Sequence, residues 1–341
     1  MNHEIYMQRC LELAKKAVGN TYPNPLVGAV IVHHNKIIGE GFHQKAGEAH
    51  AEIMAIDAVK NPALLKESTI YVSLEPCAHF GKTPPCALRI IEIGFKKVVI
   101  GTLDSHEKVN GKGKKIIEDA GIEVISGVLE KECQELNKRF FTFHQKHRPY
   151  IILKWAQSGD GLLDQDFKPT QIGNPLTKQF VHQLRSREHA ILVGTSTALT
   201  DNPRLTTREI AGRNPIRIVI DFDLKIPVNY HILNDEATTI IINSIKDQVK
   251  GNLNFIKIEK DNFLLNLMAK LVELQIQSVI IEGGSNTLQQ FIDENLWDET
   301  IIIKNKKLHL LNGTKAPKFT ALLSNVQQFR ENVIEFYKNS P

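Results

Sequence analysis

The chain has 341 residues, of which 42% are hydrophobic and 23% are charged, and its formal net charge is +4. The length allows two ordinary domains, and the composition is that of a globular protein and indicates neither disorder nor a membrane protein. The mild positive charge suits a phosphorylated small molecule and gives no indication of nucleic-acid binding.

Helix and strand signals alternate through the first part of the chain. Helices are predicted over residues 5–18, 51–60, 86–93 and 114–120, and strands over residues 27–32, 36–42, 69–74, 98–100 and 122–125. Amphipathic helices that alternate with short apolar strands predict a sheet that is covered on both faces.

A basic, polar segment at residues 144–149 marks a domain boundary, so we expect domains at residues 1–146 and 147–341. The alternation then resumes. Strands are predicted over residues 150–155, 190–193, 216–220, 239–242, 254–258, 278–281, 300–303 and 308–311, and helices over residues 175–185, 264–274 and 286–295.

The cysteines and the N-terminal residues indicate a reducing compartment. The four cysteines do not form the pattern of a disulfide framework, and Cys10 and Cys133 lie in amphipathic stretches typical of buried free thiols. Residues 1–17 mix charged with apolar side chains, unlike a signal peptide, and no apolar run has the length of a membrane span. We therefore expect a cytoplasmic protein with no membrane partner.

The sequence predicts a zinc site in the first domain. His50, Cys77 and Cys86 are three ligands of the kinds that zinc accepts, which leaves the fourth tetrahedral position for water. Glu52 follows the histidine by two residues, as the proton-transferring glutamate does in zinc deaminases of nitrogen heterocycles. The predicted elements put His50, Glu52 and Cys86 at helix N-termini, where partial positive charge stabilises thiolate and hydroxide.

Hydrolytic deamination requires this set of residues. Zinc lowers the pKa of a bound water from about 15.7 to about 7. Two thiolates formally cancel the charge of the metal, so Glu52 must help to take the proton of the water, and it would then return protons to the ring nitrogen and to the departing amine.

The spacing between the cysteines is unusually long. Eight residues separate Cys77 from Cys86, where the commonest deaminase pattern has two. His79 and Lys82 lie in this insert and are positioned to contact an anionic substrate, although a solvated loop is the alternative.

Several segments of the chain resemble the riboflavin-biosynthesis deaminase–reductase family. They are residues 75–86 (EPCAHFGKTPPC), 23–28 (PNPLVG), 47–52 (GEAHAE) and 104–113, and the similarity extends over nearly the whole chain. The resemblance implies an α/β fold, with an N-terminal three-layer cytidine-deaminase-like domain followed by a dihydrofolate-reductase-like α/β domain.

The resemblance also implies two activities and a homodimer that forms through the reductase domains. The first domain would use Zn²⁺ to deaminate 2,5-diamino-6-ribosylamino-4(3H)-pyrimidinone 5′-phosphate, and the second would use NADPH to reduce the ribosyl group to ribityl. The metal ligands would be His50, Cys77 and Cys86, with Glu52 as the proton shuttle.

In the second domain, a strand runs into Gly283, Gly284 and Ser285 and then into a helix. Glycines at such a junction let backbone N–H groups approach a phosphate, although a tight packing turn is the alternative. The pattern is not G-x-G-x-x-G, so a Rossmann domain is not supported.

The resemblance assigns further contacts residue by residue. The implied cofactor-binding residues are Lys154, Gln157, Gln171, Thr197, Asp201, Gly283, Gly284 and Ser285. The implied substrate-binding residues are Asn24, His79, Lys82, Arg185, Leu205, Arg208 and Glu282. The chain departs from the family at Gln171–Gly173 and at Phe222-Asp223, where an acidic residue would repel the 2′-phosphate of NADPH.

Two other functions remain open at this point. In the first, the chain is a zinc-dependent nucleotide or tRNA-base deaminase with an unrelated C-terminal domain. In the second, the C-terminal domain is a non-catalytic dimerisation or ligand-binding module. The long cysteine spacing and the modest charge argue against the first of these.

Overall fold

The computed structural model describes residues 2–80, 84–105 and 110–339. The chain divides into two compact units, Met1–His147 and Arg148–Pro341. The division falls one residue after the boundary expected from the sequence.

The first unit is a helix-covered sheet. Its strands are β1 (Gly28–His33), β2 (Lys36–Phe42), β3 (Thr69–Leu74), β4 (Lys97–Thr102) and β5 (Glu123–Ser126), and its helices are α1 (His3–Lys15), α2 (Ala51–Asp57), α3 (Cys86–Ile93), α4 (Lys112–Asp119), α5 (Glu130–Leu136) and α6 (Lys138–Lys146). Within the described residues the strand order is β2-β1-β3-β4-β5. β1 pairs antiparallel with β2 and β3, and β4 pairs parallel with β3 and β5.

The first sheet buries a core on each face, which gives the three layers expected from the sequence. Helices α2 and α3 pack on one face through residues such as Ala55 and Ile90, and helices α1 and α5 pack on the other through residues such as Leu11 and Cys133. Gly41 in β2 lets α2 approach closely, because an added Cβ would lie 2.4 Å from the Ala55 nitrogen. This close packing fixes the start of α2, where the candidate site begins.

The second unit contains a larger sheet. Its strands are β6 (Tyr150–Ser158), β7 (Ala190–Gly194), β8 (Ile216–Ile220), β9 (Thr239–Asn243), β10 (Gln248–Lys250), β11 (Leu253–Lys257), β12 (Ser278–Ile281), β13 (Glu299–Asn305), β14 (Leu323–Phe329) and β15 (Asn332–Lys338), and its helices are α7 (Pro175–Arg187), α8 (Thr195–Asp201), α9 (Phe263–Glu273) and α10 (Ser285–Asp293). In the described part of the unit the strand order is β10-β11-β9-β8-β7-β12-β6-β13-β15-β14. The strands from β11 to β13 run parallel, and β10, β14 and β15 pair antiparallel at the two sides.

The central strands of the second sheet are apolar on both faces because helices and loops cover both. In β12, Val279 and Ile281 belong to one core cluster while Ile280 belongs to the cluster on the opposite face. Side chains of a strand alternate between faces, so a continuous apolar run is the expected pattern for such a strand. The carboxyl ends of these parallel strands therefore share one edge of the sheet.

One predicted strand is wrong. Residues 308–311 do not form a strand, because the Leu310 and Leu311 N–H groups donate to the Asp160 carboxylate at 3.1 and 2.9 Å instead of to a neighbouring strand. The sequence reading also missed α5, α6, α8, β10, β14 and β15. None of the described helices is both long enough and apolar enough to cross a membrane.

Candidate functional site

Three predicted metal ligands meet in the first unit. His50 is the N-cap residue of α2, Cys86 is the first residue of α3, and Cys77 follows the end of β3. The His50 Nδ1 atom lies 3.6 Å from the Cys77 Sγ atom and 3.3 Å from the Cys86 Sγ atom. The three ligand atoms all lie within 4.8 Å of one another.

This geometry fits a zinc ion. Zn–S bonds of about 2.3 Å and Zn–N bonds of about 2.0 Å in a tetrahedron separate the nitrogen and sulfur ligands by about 3.5 Å. The observed separations are close to that value, and one nitrogen with two sulfurs is a donor set typical of zinc. Hydrogen bonds from Cys86 and from the His50 ring lower the pKa of the Cys77 thiol, which favours the thiolate that binds metal.

Glu52 lies in the first turn of α2 and is buried. Burial, together with the neighbouring Cys77 sulfur, raises the pKa of the Glu52 carboxyl to about 7. A carboxyl group with such a pKa exchanges protons readily near neutral pH. The helix thus carries a ligand and a proton-transfer group two residues apart.

Asn24 reaches this site through a histidine that the sequence reading missed. The Asn24 Nδ2 atom donates to the His43 Nε2 atom at 3.0 Å, and the His43 Nδ1 atom donates to the Ala49 carbonyl at 3.1 Å. The His43 ring packs against the His50 ring at 5.5 Å between centroids. The one signal for His43 in the sequence is its position, directly after the strand β2 and seven residues before His50.

The segment between the two cysteines is partly described. His79 is exposed in the loop after Cys77, and the predicted substrate contact Lys82 lies outside the described residues. Glu75, which precedes this segment, is buried, and its carboxylate accepts N–H groups from Asp104, Gly111 and Lys114 at 3.1, 2.9 and 3.0 Å. Glu75 therefore anchors the chain before α4 beside the end of β3.

The second unit contains a large cleft of about 1020 Å³ along one edge of its sheet. This volume is at the upper end of the range for small-molecule and cofactor sites. Its walls include most of the residues predicted for this unit: Lys154, Gln171, Arg185, Thr197, Asp201, Arg208, Glu282, Gly283, Gly284 and Ser285.

A buried ion triad lies at one end of the cleft. The Glu282 carboxylate accepts hydrogen bonds from the Lys154 Nζ atom at 2.9 Å and from the Arg185 Nη2 atom at 2.6 Å. Burial opposes the ionisation of Glu282, but the two cations outweigh it and lower the pKa of the carboxyl to about 2. Glu282 is thus ionised at neutral pH, and it orients both cations.

Arg185 lines this end of the cleft, and one of its donors is unpaired in the described part of the chain. Its Nε atom is buried and has no hydrogen-bond partner among the described residues. A buried guanidinium N–H group without an acceptor is costly in free energy. Nearby, the Arg208 backbone N–H donates to the His182 Nδ1 atom at 3.0 Å, which holds a second arginine at the wall.

The glycine turn before α10 lies in the middle of the cleft. An added Cβ on Gly283 would lie 3.0 Å from the Gly194 nitrogen at the end of β7, so tight packing is one reason for this glycine. The Gly284 N–H donates to the Thr197 Oγ1 atom at 2.7 Å. The turn also presents the N-terminus of α10 to the cleft, where a phosphate would be stabilised.

Two predicted contacts do not appear in the wall of the cleft. The Leu205 side chain is buried in a core cluster with Val193 and Ala198. The Gln157 Oε1 atom accepts the Trp155 indole N–H at 2.7 Å. The leucine side chain is apolar and packs in the core. The glutamine amide is hydrogen-bonded to a side chain of its own strand, β6.

Known proteins match both halves of the chain. The model for the cytidine and deoxycytidylate deaminase zinc-binding region matches residues 1–102, and the model for the RibD C-terminal domain matches residues 149–308. The riboflavin biosynthesis protein RibD of Aquifex aeolicus is 43% identical over 89% of this chain and 86% of its own length. RibD of Escherichia coli is 35% identical over 90% of this chain and 89% of its own length.

A solved structure agrees over the full length. It is the diaminohydroxyphosphoribosylaminopyrimidine deaminase/5-amino-6-(5-phosphoribosylamino)uracil reductase of Thermotoga maritima, with a TM-score of 0.91, 34% identity and 99% of each chain covered. RibD of Acinetobacter baumannii gives a TM-score of 0.89 at 31% identity, with 99% of each chain covered.

The fold and the two sites define a zinc-dependent deaminase joined to an NADPH-dependent reductase of dihydrofolate-reductase-like fold. The chain belongs to the RibD family, whose members are bifunctional enzymes of riboflavin biosynthesis. The alternative of a nucleotide or tRNA-base deaminase with a non-catalytic C-terminal module is not favoured, because the reductase half also matches the family.

Proposed function

We propose that residues 1–146 deaminate 2,5-diamino-6-ribosylamino-4(3H)-pyrimidinone 5′-phosphate. His50, Cys77 and Cys86 hold the zinc ion, which supplies an acidified water when it is bound. The observation that carries the proposal is the convergence of these three ligand atoms within 4.8 Å beside the buried Glu52.

Glu52 takes one proton of the water at its carboxylate and delivers it to the ring nitrogen, and it then carries the second proton, from the hydroxyl group added to the ring, to the amine that departs as ammonia. Asn24, held by its hydrogen bond to His43, contacts the substrate. His79 and Lys82 provide polar contacts from the segment between the cysteines.

We further propose that residues 147–341 reduce the ribosyl group of the deaminated product with NADPH. Arg185, Arg208 and Glu282 bind the substrate, a role supported by their place in the wall of the cleft and by the buried triad. Lys154 orients the reacting end of the cofactor. The other cofactor-binding residues, which also line the cleft, are Gln171, Thr197, Asp201, Gly283, Gly284 and Ser285. The cofactor supplies the hydride, and these residues supply orientation and electrostatics.

The contacts assigned to Gln157 and Leu205 stay predictions from the resemblance. For the whole protein we propose a cytoplasmic homodimer that forms through the reductase domains.

The test of the proposed function is a coupled assay on the zinc-loaded protein and its Glu52→Gln variant. The variant is expected to release ammonia from the pyrimidinone phosphate about 10² to 10⁴ times more slowly, because the proton carrier is lost. It is expected to retain zinc and to oxidise NADPH normally with the deaminated product.

The exposed Glu67→Gln substitution is the matched control and is expected to change neither activity. Loss of zinc from Glu52→Gln would show that Glu52 is a ligand and would contradict its role. Activity on cytidine, dCMP or tRNA but not on the pyrimidinone phosphate would contradict the substrate.

A further inference from the structure

The basic part of the cleft wall in the second unit comes from two segments of the chain. His182 and Arg185 lie three residues apart on α7, so they share one side of this helix, and both line the cleft. Arg208 also lines the cleft, but it lies in the connection between α8 and β8. A residue in such a connection depends on groups of other elements to hold its backbone in place.

The two arginine side chains meet at one carbonyl oxygen. The Arg185 Nη1 atom donates to the Thr206 carbonyl oxygen at 3.5 Å, and the Arg208 Nη1 atom donates to the same oxygen at 3.3 Å. The Arg208 Nη1 atom also donates to the Thr206 Oγ1 atom at 2.9 Å. Two guanidinium groups that converge in this way suit a phosphate group, which accepts hydrogen bonds from several donors at once.

His182 links the two segments that carry these arginines. Its ring is buried, and its Nδ1 atom accepts the Arg208 backbone N–H at 3.0 Å. Lys178 on the same helix pairs with Glu209 at 2.6 Å, but both side chains are exposed, and an exposed pair contributes little. The hydrogen bond of His182 is thus a buried link that sets where the Arg208 backbone lies relative to α7.

The surroundings of His182 keep its ring neutral. Burial, followed by the positive charges of Arg185 and Arg208, lowers the pKa of the ring to about 4. Glu209 opposes this shift, and Lys178 adds to it. At neutral pH the Nδ1 atom is therefore unprotonated and can accept the N–H group. A protonated ring would lose this acceptor and would add a third positive charge beside the two guanidinium groups.

We propose that His182 is a positioning residue of the reductase, which holds the Arg208 backbone so that Arg208 and Arg185 together bind the phosphate group of the substrate. This inference rests on the proposed reductase function and adds a residue that acts on the substrate through Arg208. Its contribution belongs to substrate binding, because the phosphate is at the 5′ position of the ribosyl group, whereas reduction to ribityl takes place at C1′.

The experiment measures the steady-state kinetics of NADPH oxidation with the deaminated product, on the full-length, zinc-loaded protein. His182→Phe keeps a ring of similar size but removes the acceptor. It is expected to raise the KM for the deaminated product about five- to tenfold, because one buried hydrogen bond is lost. The kcat and the KM for NADPH are expected to stay within about twofold of the wild type, because the cofactor contacts are unchanged.

His182→Asn is the conservative variant, since its Oδ1 atom takes the place of the histidine Nδ1 atom and accepts the same N–H group. It is expected to keep the KM within about twofold of the wild type. The exposed Gln183→Ala on the same helix is the matched control and is expected to change no constant. Thermal melting shows whether each variant is folded. If His182→Phe is not, His182→Ala is the second variant without an acceptor, and the same rise in KM is expected.

A double-mutant cycle tests whether His182 acts through Arg208. Arg208→Ala alone is expected to raise the KM for the deaminated product about tenfold or more, because a charge-assisted contact with the phosphate is lost. Adding His182→Phe to Arg208→Ala is expected to change this KM by less than about twofold, since the two residues act as one unit. A merely structural effect of His182 would multiply the two changes instead.

Three results would overturn the inference. They are equal rises in the KM values for NADPH and the deaminated product, a rise in His182→Asn as large as that in His182→Phe, and multiplied effects in the double variant. All three leave the reductase function standing. A wild-type protein that oxidises no NADPH with the deaminated product would contradict the reductase proposal and this inference with it, so the two failures are distinguishable.

Discussion

At the scale of single residues, each candidate site holds a buried carboxyl group, and the pKa values of the two are shifted in opposite directions because their neighbours differ. Burial and a neighbouring thiol raise the pKa of Glu52 to about 7. Glu282 is also buried, but Arg185 and Lys154 lower its pKa to about 2. The surroundings of Glu52 suit a group that exchanges protons. Those of Glu282 suit a group that stays ionised and orients cations.

We predict that Glu282→Gln destabilises the second unit and abolishes reduction. Two buried cations would lose their counter-charge, which costs on the order of 3–5 kcal/mol in the free energy of unfolding. Urea unfolding and NADPH oxidation measure the two effects, and ammonia release is expected to be unchanged. The control is the exposed Glu273→Gln on α9. Wild-type stability in Glu282→Gln would argue against the triad.

We predict that the stability of the second unit falls in acid because of two buried histidines. The Nδ1 atoms of His182 and His189 accept the backbone N–H groups of Arg208 and Gln277, and burial lowers the pKa of both rings to about 4. Both folded-state pKa values lie below the ordinary 6.5, so the full stability is present above pH 6.5 and is lost progressively as the pH falls towards 4.

The measurement is urea unfolding of the second unit between pH 7 and pH 5. His189→Asn keeps an acceptor without titrating, and it is expected to flatten the pH dependence by up to about 2 kcal/mol. An unchanged slope in this variant would mean that His189 does not contribute.

At the scale of elements, several predicted bounds agree with the structure and others do not. β3, α3, β8 and β12 have the bounds that the apolar runs predict, because buried elements carry the strongest patterns. The edge strand β14 is polar and exposed, and α8 is short and begins directly after β7, so neither has a clear period. Such elements form because neighbouring parts of the sheet or the chain are already in place.

The position of α2 depends on a glycine in the adjacent strand. We predict that Gly41→Ala and, more strongly, Gly41→Val displace α2 and weaken zinc binding, because an added Cβ would lie 2.4 Å from the Ala55 nitrogen. The stability of the first unit should fall by about 1–3 kcal/mol. Zinc content after dialysis and thermal melting measure both effects. A Gly41→Val protein with full zinc content would contradict the role of this contact.

At the scale of the whole molecule, the two activities belong to two units that each have their own core and their own site. The metal ligands all lie in the first unit, and the cleft with its ion triad lies in the second. Loss of metal should therefore affect one activity and spare the other.

We predict that removal of zinc by a chelator abolishes ammonia release but leaves NADPH oxidation with the deaminated product within about twofold. Metal binding stabilises the folded state of the unit that holds it, so the melting temperature of the first unit should also fall. Added zinc is expected to restore both properties, which serves as the control. Equal loss of the reductase activity would show that the second unit depends on the metal.

The sequence by itself determined the chemistry of the metal site and the family. His50, Glu52, Cys77 and Cys86 are set by their residue types and spacing, because zinc accepts few ligands and a helix start places the glutamate two residues from the histidine. Only the tertiary structure decided which distant residues act together. It brought His43 to Asn24, enclosed Glu282 between Lys154 and Arg185, paired Asp223 with two lysines and withdrew Leu205 into the core. Those outcomes depend on packing and charge between segments far apart in the chain, which no local pattern records.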